Sequence, residues 1–103
     1  ASFEKGLAMF PRDSDLQNEY LATLMQLGRY ADVVTYTDRW LTNGFDLTDA
    51  NRAKYYKARG LAQFNINDLK AAADSMTVAL RYQYDEETVD LQKKVQDAMP
   101  KAN

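Results

Sequence analysis

Residues 14–44, SDLQNEYLATLMQLGRYADVVTYTDRWLTNG, decide the fold. Leu16, Tyr20, Leu24 and Leu27 recur at steps of four, four and three, which brings them to one face of a helix over about residues 15–27. Ser14, with Gln17 three residues on, has the form of a capping box, in which side-chain oxygens take up the backbone N–H groups that a helix start leaves unpaired. Gly28 stops this helix. Tyr30, Val33, Val34, Thr37, Trp40 and Leu41 then carry a second apolar stripe as far as Asn43 and Gly44. Two helices joined by so short a turn are expected to lie antiparallel and to pack together.

Downstream the pattern starts again. Thr48 or Asp49 is suited to cap a third helix, whose face carries Ala53, Tyr56, Gly60, Leu61 and Phe64. A turn follows at residues 65–67. Leu69, Ala72, Ala73, Met76, Ala79 and Leu80 mark a fourth helix ending near Tyr82. Asp85 is placed to cap a last helix with Val89, Gln92, Val95 and Met99 on one face, before Pro100. Its other positions (Glu86, Asp90, Lys93, Lys94, Asp97) are charged, as suits an outer, solubilising face. Upstream, Phe3, Leu7 and Phe10 keep helical spacing up to Pro11, so residues 1–10 read like the end of a helix already under way. The expectation is a fragment of something longer or a processed product. Alternating β-branched segments are missing, and the class expected is all-α.

Composition narrows the function. The chain has 103 residues, 46% hydrophobic and 27% charged, which fits one globular domain. No apolar run approaches the roughly 20 residues of a membrane span. A net charge of −2 and a pI near 5.0 argue against a nucleic-acid partner, which calls for a concentrated basic stripe. The absence of cysteine removes disulfides and thiol chemistry, and the absence of histidine removes the commonest general base and metal ligand. Serine occurs only at Ser2, Ser14 and Ser75, and the glycines form no phosphate-cradling loop. Asp85, Glu86 and Glu87 are better read as the acidic first turn of a helix. The sequence thus points away from an enzyme, with no catalytic residue, cofactor or metal expected, and it gives no compartment.

The turn inside each helix pair carries a family resemblance. Gly28, Tyr30 and Val33 in the first pair, and Asn67, Leu69 and Ala72 in the second, fit the glycine-like, large and small positions of the tetratricopeptide repeat. Tyr56 and Gly60 stand at that family's early aromatic and small positions, and Met76 and Ala79 at the large and small positions of the second helix. Pro11 closes an earlier repeat, and Phe45 and Tyr84 take the closing place in the two full ones. The chain therefore resembles that family from about Phe3 onward. The resemblance implies a single domain (1–103) divided into the end of a repeat (1–11), two repeats (14–47 and 53–86) and a capping helix (87–100). It implies antiparallel helix pairs stacked as an α-solenoid. Departures are Leu21, where glycine or alanine is usual, and Thr37 and Trp40, where phenylalanine and alanine are usual. The two repeats start 39 residues apart, with an insertion of about five around residues 48–52 relative to the family's period of about 34.

What the resemblance implies about function is a non-catalytic scaffold. Its groove positions fall on Asp15, Asn18, Ala22, Met25 and Gln26, then on Lys54, Lys57, Ala58, Leu61, Phe64 and Asn65. Such a groove takes an extended or helical segment of a protein or peptide partner. Lys54 and Lys57, one turn apart, are placed to meet a carboxylate. The family's clamp for a chaperone's C-terminal tail is not expected, because Ala58 and Glu19 stand where the clamp needs arginine and asparagine. The plainer reading of these residues is a solvated face for the lysines, and packing between repeats for Met25 and Phe64. The alternative role is structural self-association through Phe3, Leu7 and Phe10.

Overall fold

A computed structural model describes residues 14–42 and 47–100. Among them are five helices and no strand: α1 (Ser14–Gln26), α2 (Tyr30–Thr42), α3 (Asp49–Asn65), α4 (Leu69–Tyr82) and α5 (Glu86–Ala98). The all-α expectation holds. The expectations for Phe3, Gly6, Leu7, Phe10 and Pro11, and for Asn43, Gly44, Phe45 and Asp46, lie outside the described residues.

The two bends are built alike. Gly28 (φ 71°) and Asn67 (φ 65°) both take the left-handed conformation, which glycine adopts freely and asparagine tolerates better than most side chains. Around Gly28, Leu27 N–H reaches the Thr23 carbonyl, Gly28 N–H reaches Met25 and Arg29 N–H reaches Leu24. Around Asn67, Ile66 N–H reaches Ala62, Asn67 N–H reaches Phe64 and Asp68 N–H reaches Gln63. Both sets satisfy the last carbonyls of a helix in the manner of a Schellman motif, with the same residue offsets at the same relative positions. The bend also sends Leu27 outward: expected on the buried face of α1, it is 65% exposed, because it stands beyond the last helical turn. Its counterpart Ile66 is 47% exposed.

Helix starts follow the sequence in part. Thr48 is the N-cap of α3, its hydroxyl accepting from the Asn51 N–H at 3.2 Å. Gln17, expected to serve the start of α1, is buried, and its Oε1 accepts the Tyr55 hydroxyl of α3 at 2.5 Å. Asp85 stands at the N-cap of α5, but its Oδ2 is taken by the Thr88 hydroxyl at 2.8 Å and the Lys57 ammonium at 2.9 Å.

Tyr20, Leu21, Leu24, Val33, Tyr55 and Ala62 form a buried cluster joining α1, α2 and α3. Tyr36 and Trp40 of α2 bridge its aromatic members. Tyr20 meets Tyr36 edge-on with ring centres 5.0 Å apart, Tyr36 meets Trp40 at 5.5 Å and Trp40 meets Tyr55 at 5.9 Å. Thr37 is fully buried in place of a larger apolar residue, and its hydroxyl donates to the Val33 carbonyl at 2.7 Å, so no polar group is stranded.

The second pair is closer. Gly60 is buried where α3 crosses α4, and a Cβ there would lie 3.0 Å from Met76 Cε and 3.2 Å from the Ala72 carbonyl oxygen. Ala72, Met76 and Ala79 of α4 are buried and small or adaptable, and Ala72 and Met76 lie against Gly60. Gln63 and Ser75, both 4% exposed, satisfy each other across it at 2.7 Å. Leu21 holds the equivalent place in α1, and α1 and α2 contact each other less extensively than α3 and α4. Val95 is buried on α5, and Gln92 donates to the Thr77 hydroxyl of α4 at 2.7 Å.

Each helix packs on the next in sequence, and α3 also touches α1 and α5. Among the described residues α2 and α4 make no such contact. Among the described residues α3 therefore adjoins both α1 and α5 directly, while α2 and α4 stay apart.

Candidate partner-binding surface

The groove positions of α1 and α3 follow helical spacing, so each set occupies one side of its helix. Ala22, Gln26, Lys54, Asp15 and Asn65 are exposed. Asn18, Met25, Lys57, Ala58, Leu61 and Phe64 are half-buried. Met25 and Ala58 pack against the cluster that joins the first three helices, so these two contribute to the core as well as to the surface. Leu61 and Phe64 keep part of their apolar area in reach of solvent, with Lys54 and Asn65 beside them on the same helix.

The two lysines part company. Lys54 is exposed. The Lys57 ammonium lies 2.9 Å from Asp85 Oδ2 and 2.8 Å from Glu87 Oε1, tying α3 to the first turn of α5. Partial burial works against the Lys57 charge, but the hydrogen bonds to Glu87 and Asp85 outweigh it and hold its pKa above the ordinary lysine value. The same hydrogen bond from Lys57, with that from Thr88, holds the Asp85 carboxyl below its ordinary value. A carboxylate arriving on this face would meet Lys54 first, since Lys57 already has two partners.

Other side chains gather on a different side of α3. Arg59 reaches across to Asp38 of α2 at 2.8 Å, and its Nε is buried without a hydrogen-bond partner among the described residues. A cavity of about 210 Å³ opens here, lined by Tyr56, Arg59, Gln63, Ala71, Asp74, Ser75 and Val78. It shares no residue with the predicted groove. Beyond it Tyr56 stacks on Tyr82 with ring centres 5.9 Å apart, and the Arg52 guanidinium lies 5.8 Å from the Tyr82 ring centre. Sequence spacing does not mark these residues as a site. The one available signal was a buried glutamine and serine on otherwise apolar faces, which only the packing of α3 on α4 brings together.

Among the described residues no group of three or more acidic side chains is placed to hold a metal ion, and no helix is long and apolar enough to cross a membrane. Compared with protein-family models, curated proteins and solved structures, the chain gives no match.

Proposed function

We propose that this chain is a tetratricopeptide-like array of antiparallel helix pairs, a non-catalytic scaffold that binds a segment of another protein on the face lined by α1 and α3. The observation that carries this reading is the pattern of neighbours: α3 touches α1 and α5, whereas α2 and α4 stay apart. Adjacent first helices with separated second helices are what a curved stack of pairs produces, with the first helices along its hollow side. The equivalent bends at Gly28 and Asn67 support a repeated unit of helix, left-handed turn and helix.

The surface is chemically suited to a peptide. Leu61 and Phe64 offer apolar area for an anchoring side chain, and Met25 adapts to irregular shapes. Gln26 brings an amide able to pair with a backbone, Asn65 keeps its amide oxygen as an acceptor while its nitrogen donates to the Leu61 carbonyl, and Lys54 brings a charge for orientation. Selection from a random peptide display library, run in parallel on the native chain and on an Ala22→Arg, Lys54→Glu variant, tests this. Both substituted residues are exposed, so the fold should persist. A consensus enriched on the native chain and absent from the variant supports the reading. An identical outcome for the two proteins refutes it.

A further inference from the structure

The cavity beside Arg59 lies outside the proposed groove, and its inventory of hydrogen-bonding groups is specific. Three polar residues line it from α3 (Tyr56, Arg59, Gln63) and two from α4 (Asp74, Ser75). Arg59 and Gln63 are one helical turn apart, so both project to the same side of α3. The Ser75 hydroxyl donates to Gln63 Oε1, which fixes the amide plane and turns its nitrogen elsewhere. The buried Nε of Arg59 has no hydrogen-bond partner among the described residues. Asp74 is exposed at the edge and supplies acceptors.

Charge decides what suits this inventory. Arg59 is already paired with Asp38 of α2, and Asp74 adds a carboxylate to the cavity lining. A carboxylate or phosphate entering here would meet an Arg59 charge already paired with Asp38 and would be repelled by Asp74. A cation would find Asp74 but would face the donors of Arg59 and Gln63. A neutral amide meets both requirements: its carbonyl oxygen accepts from the Gln63 and Arg59 side, and its N–H donates to Asp74. The walls between are apolar where Ala71 and Val78 contribute, which suits the short aliphatic stem of such a group.

We propose that this cavity is a second recognition site, which takes one uncharged carboxamide of a peptide partner, on a side of α3 distinct from the groove. Asparagine or glutamine side chains and the peptide backbone share that chemistry. The site stands on its own observations and does not depend on the groove being used.

The test is an NMR titration of the isotopically labelled chain, following the Gln63 side-chain NH₂ and the Arg59 Nε–H resonances. The probes are propionamide, N-methylacetamide and acetate, each carried to tens of millimolar. Both resonances should move with an amide and stay in place with acetate at equal ionic strength. The stronger of the two amides assigns the source, propionamide standing for a side chain and N-methylacetamide for backbone. Asp74→Ala, at an exposed position, should weaken the amide by about threefold to tenfold, the net worth of one ordinary hydrogen bond in reach of solvent. Acetate shifts as large as the amide's, no response to either amide, or an unchanged affinity in Asp74→Ala would overturn the proposal.

Discussion

Replacing Gly60 by leucine gives the second helix pair the residue that the first pair carries at Leu21. Glycine in a helix interior normally costs about 0.5–1 kcal/mol relative to alanine, so a substitution with free space would stabilise. Here the space is taken. The new Cβ would sit 3.0 Å from Met76 Cε, 3.2 Å from Met76 Sδ and 3.2 Å from the Ala72 carbonyl oxygen. Met76 is flexible enough to yield, but the Ala72 carbonyl belongs to the backbone of α4 and moves only with that helix. For Gly60→Ala the propensity gain offsets much of the crowding, and the net change should stay within about 1 kcal/mol. Leucine adds three more carbons with nowhere to go, and α3 and α4 must separate at a cost of about 2–4 kcal/mol. For a domain of this size, that corresponds to a fall in Tm of at least about 8 °C. Thermal and urea unfolding of the two variants give the comparison directly. A second check is coupling: Met76→Ala, which removes the crowded side chain, should cost less in the Gly60→Leu background than alone. If Gly60→Leu melts within about 2 °C of the native chain, the close approach of α3 and α4 is wrong.

Three further outcomes follow from the packing. Tyr55→Phe keeps the ring against Trp40 and removes the hydroxyl that Gln17 accepts, so stability should fall by about 1–2 kcal/mol, read from urea midpoints. Gly28→Ala forces an alanine into a left-handed turn and should cost about 1–2 kcal/mol, whereas Asn67→Gly should be neutral or stabilising by calorimetry. The Lys57–Asp85–Glu87 contact gives a pH signature. The folded Asp85 carboxyl titrates below its ordinary value of 3.8, so its contribution is present above that pH and is lost as pH falls through the folded value. Folded Lys57 titrates above its ordinary 10.5, so its contribution is present below that pH and is lost as pH rises through the folded value. Lys57→Met should therefore lower Tm between roughly these limits, and its effect should shrink as acid carries the pH below the folded Asp85 value. A uniform effect at every pH would mean that lost packing, not charge, is responsible.

Much of the fold was legible because two signals agreed. Helical spacing of Leu16, Tyr20 and Leu24, and of Ala72, Met76 and Ala79, marks faces that the structure buries, Leu16 at the half-buried edge of the first. Gly28 and Asn67 marked bends, because few residues other than glycine and asparagine settle in the left-handed region. Two positions were misjudged for physical reasons. Leu27 continues the spacing of α1, but periodicity does not register that the Schellman bend has already begun. The apolar stripe of α3 runs through Tyr56, yet Tyr55 is fully buried and Tyr56 half-exposed. A helix packed against neighbours on two sides has a wide apolar arc, and a single stripe understates it. The surface was less legible. Lys57 looked like a free groove cation, and its partners Asp85 and Glu87, 28 and 30 residues away, enter only through the docking of α5. The Arg59 cavity depends on α3 and α4 together, and nothing in either segment alone announces it.

Whether the first helices of successive pairs lie side by side can be read from nuclear Overhauser contacts in the labelled chain. Cross-peaks from the Tyr55 ring to both Gln17 and Trp40, and none between α2 and α4 side chains, are the pattern expected. Direct contacts between α2 and α4, with Tyr55 remote from Gln17, would contradict the stacked arrangement and the binding face built on it.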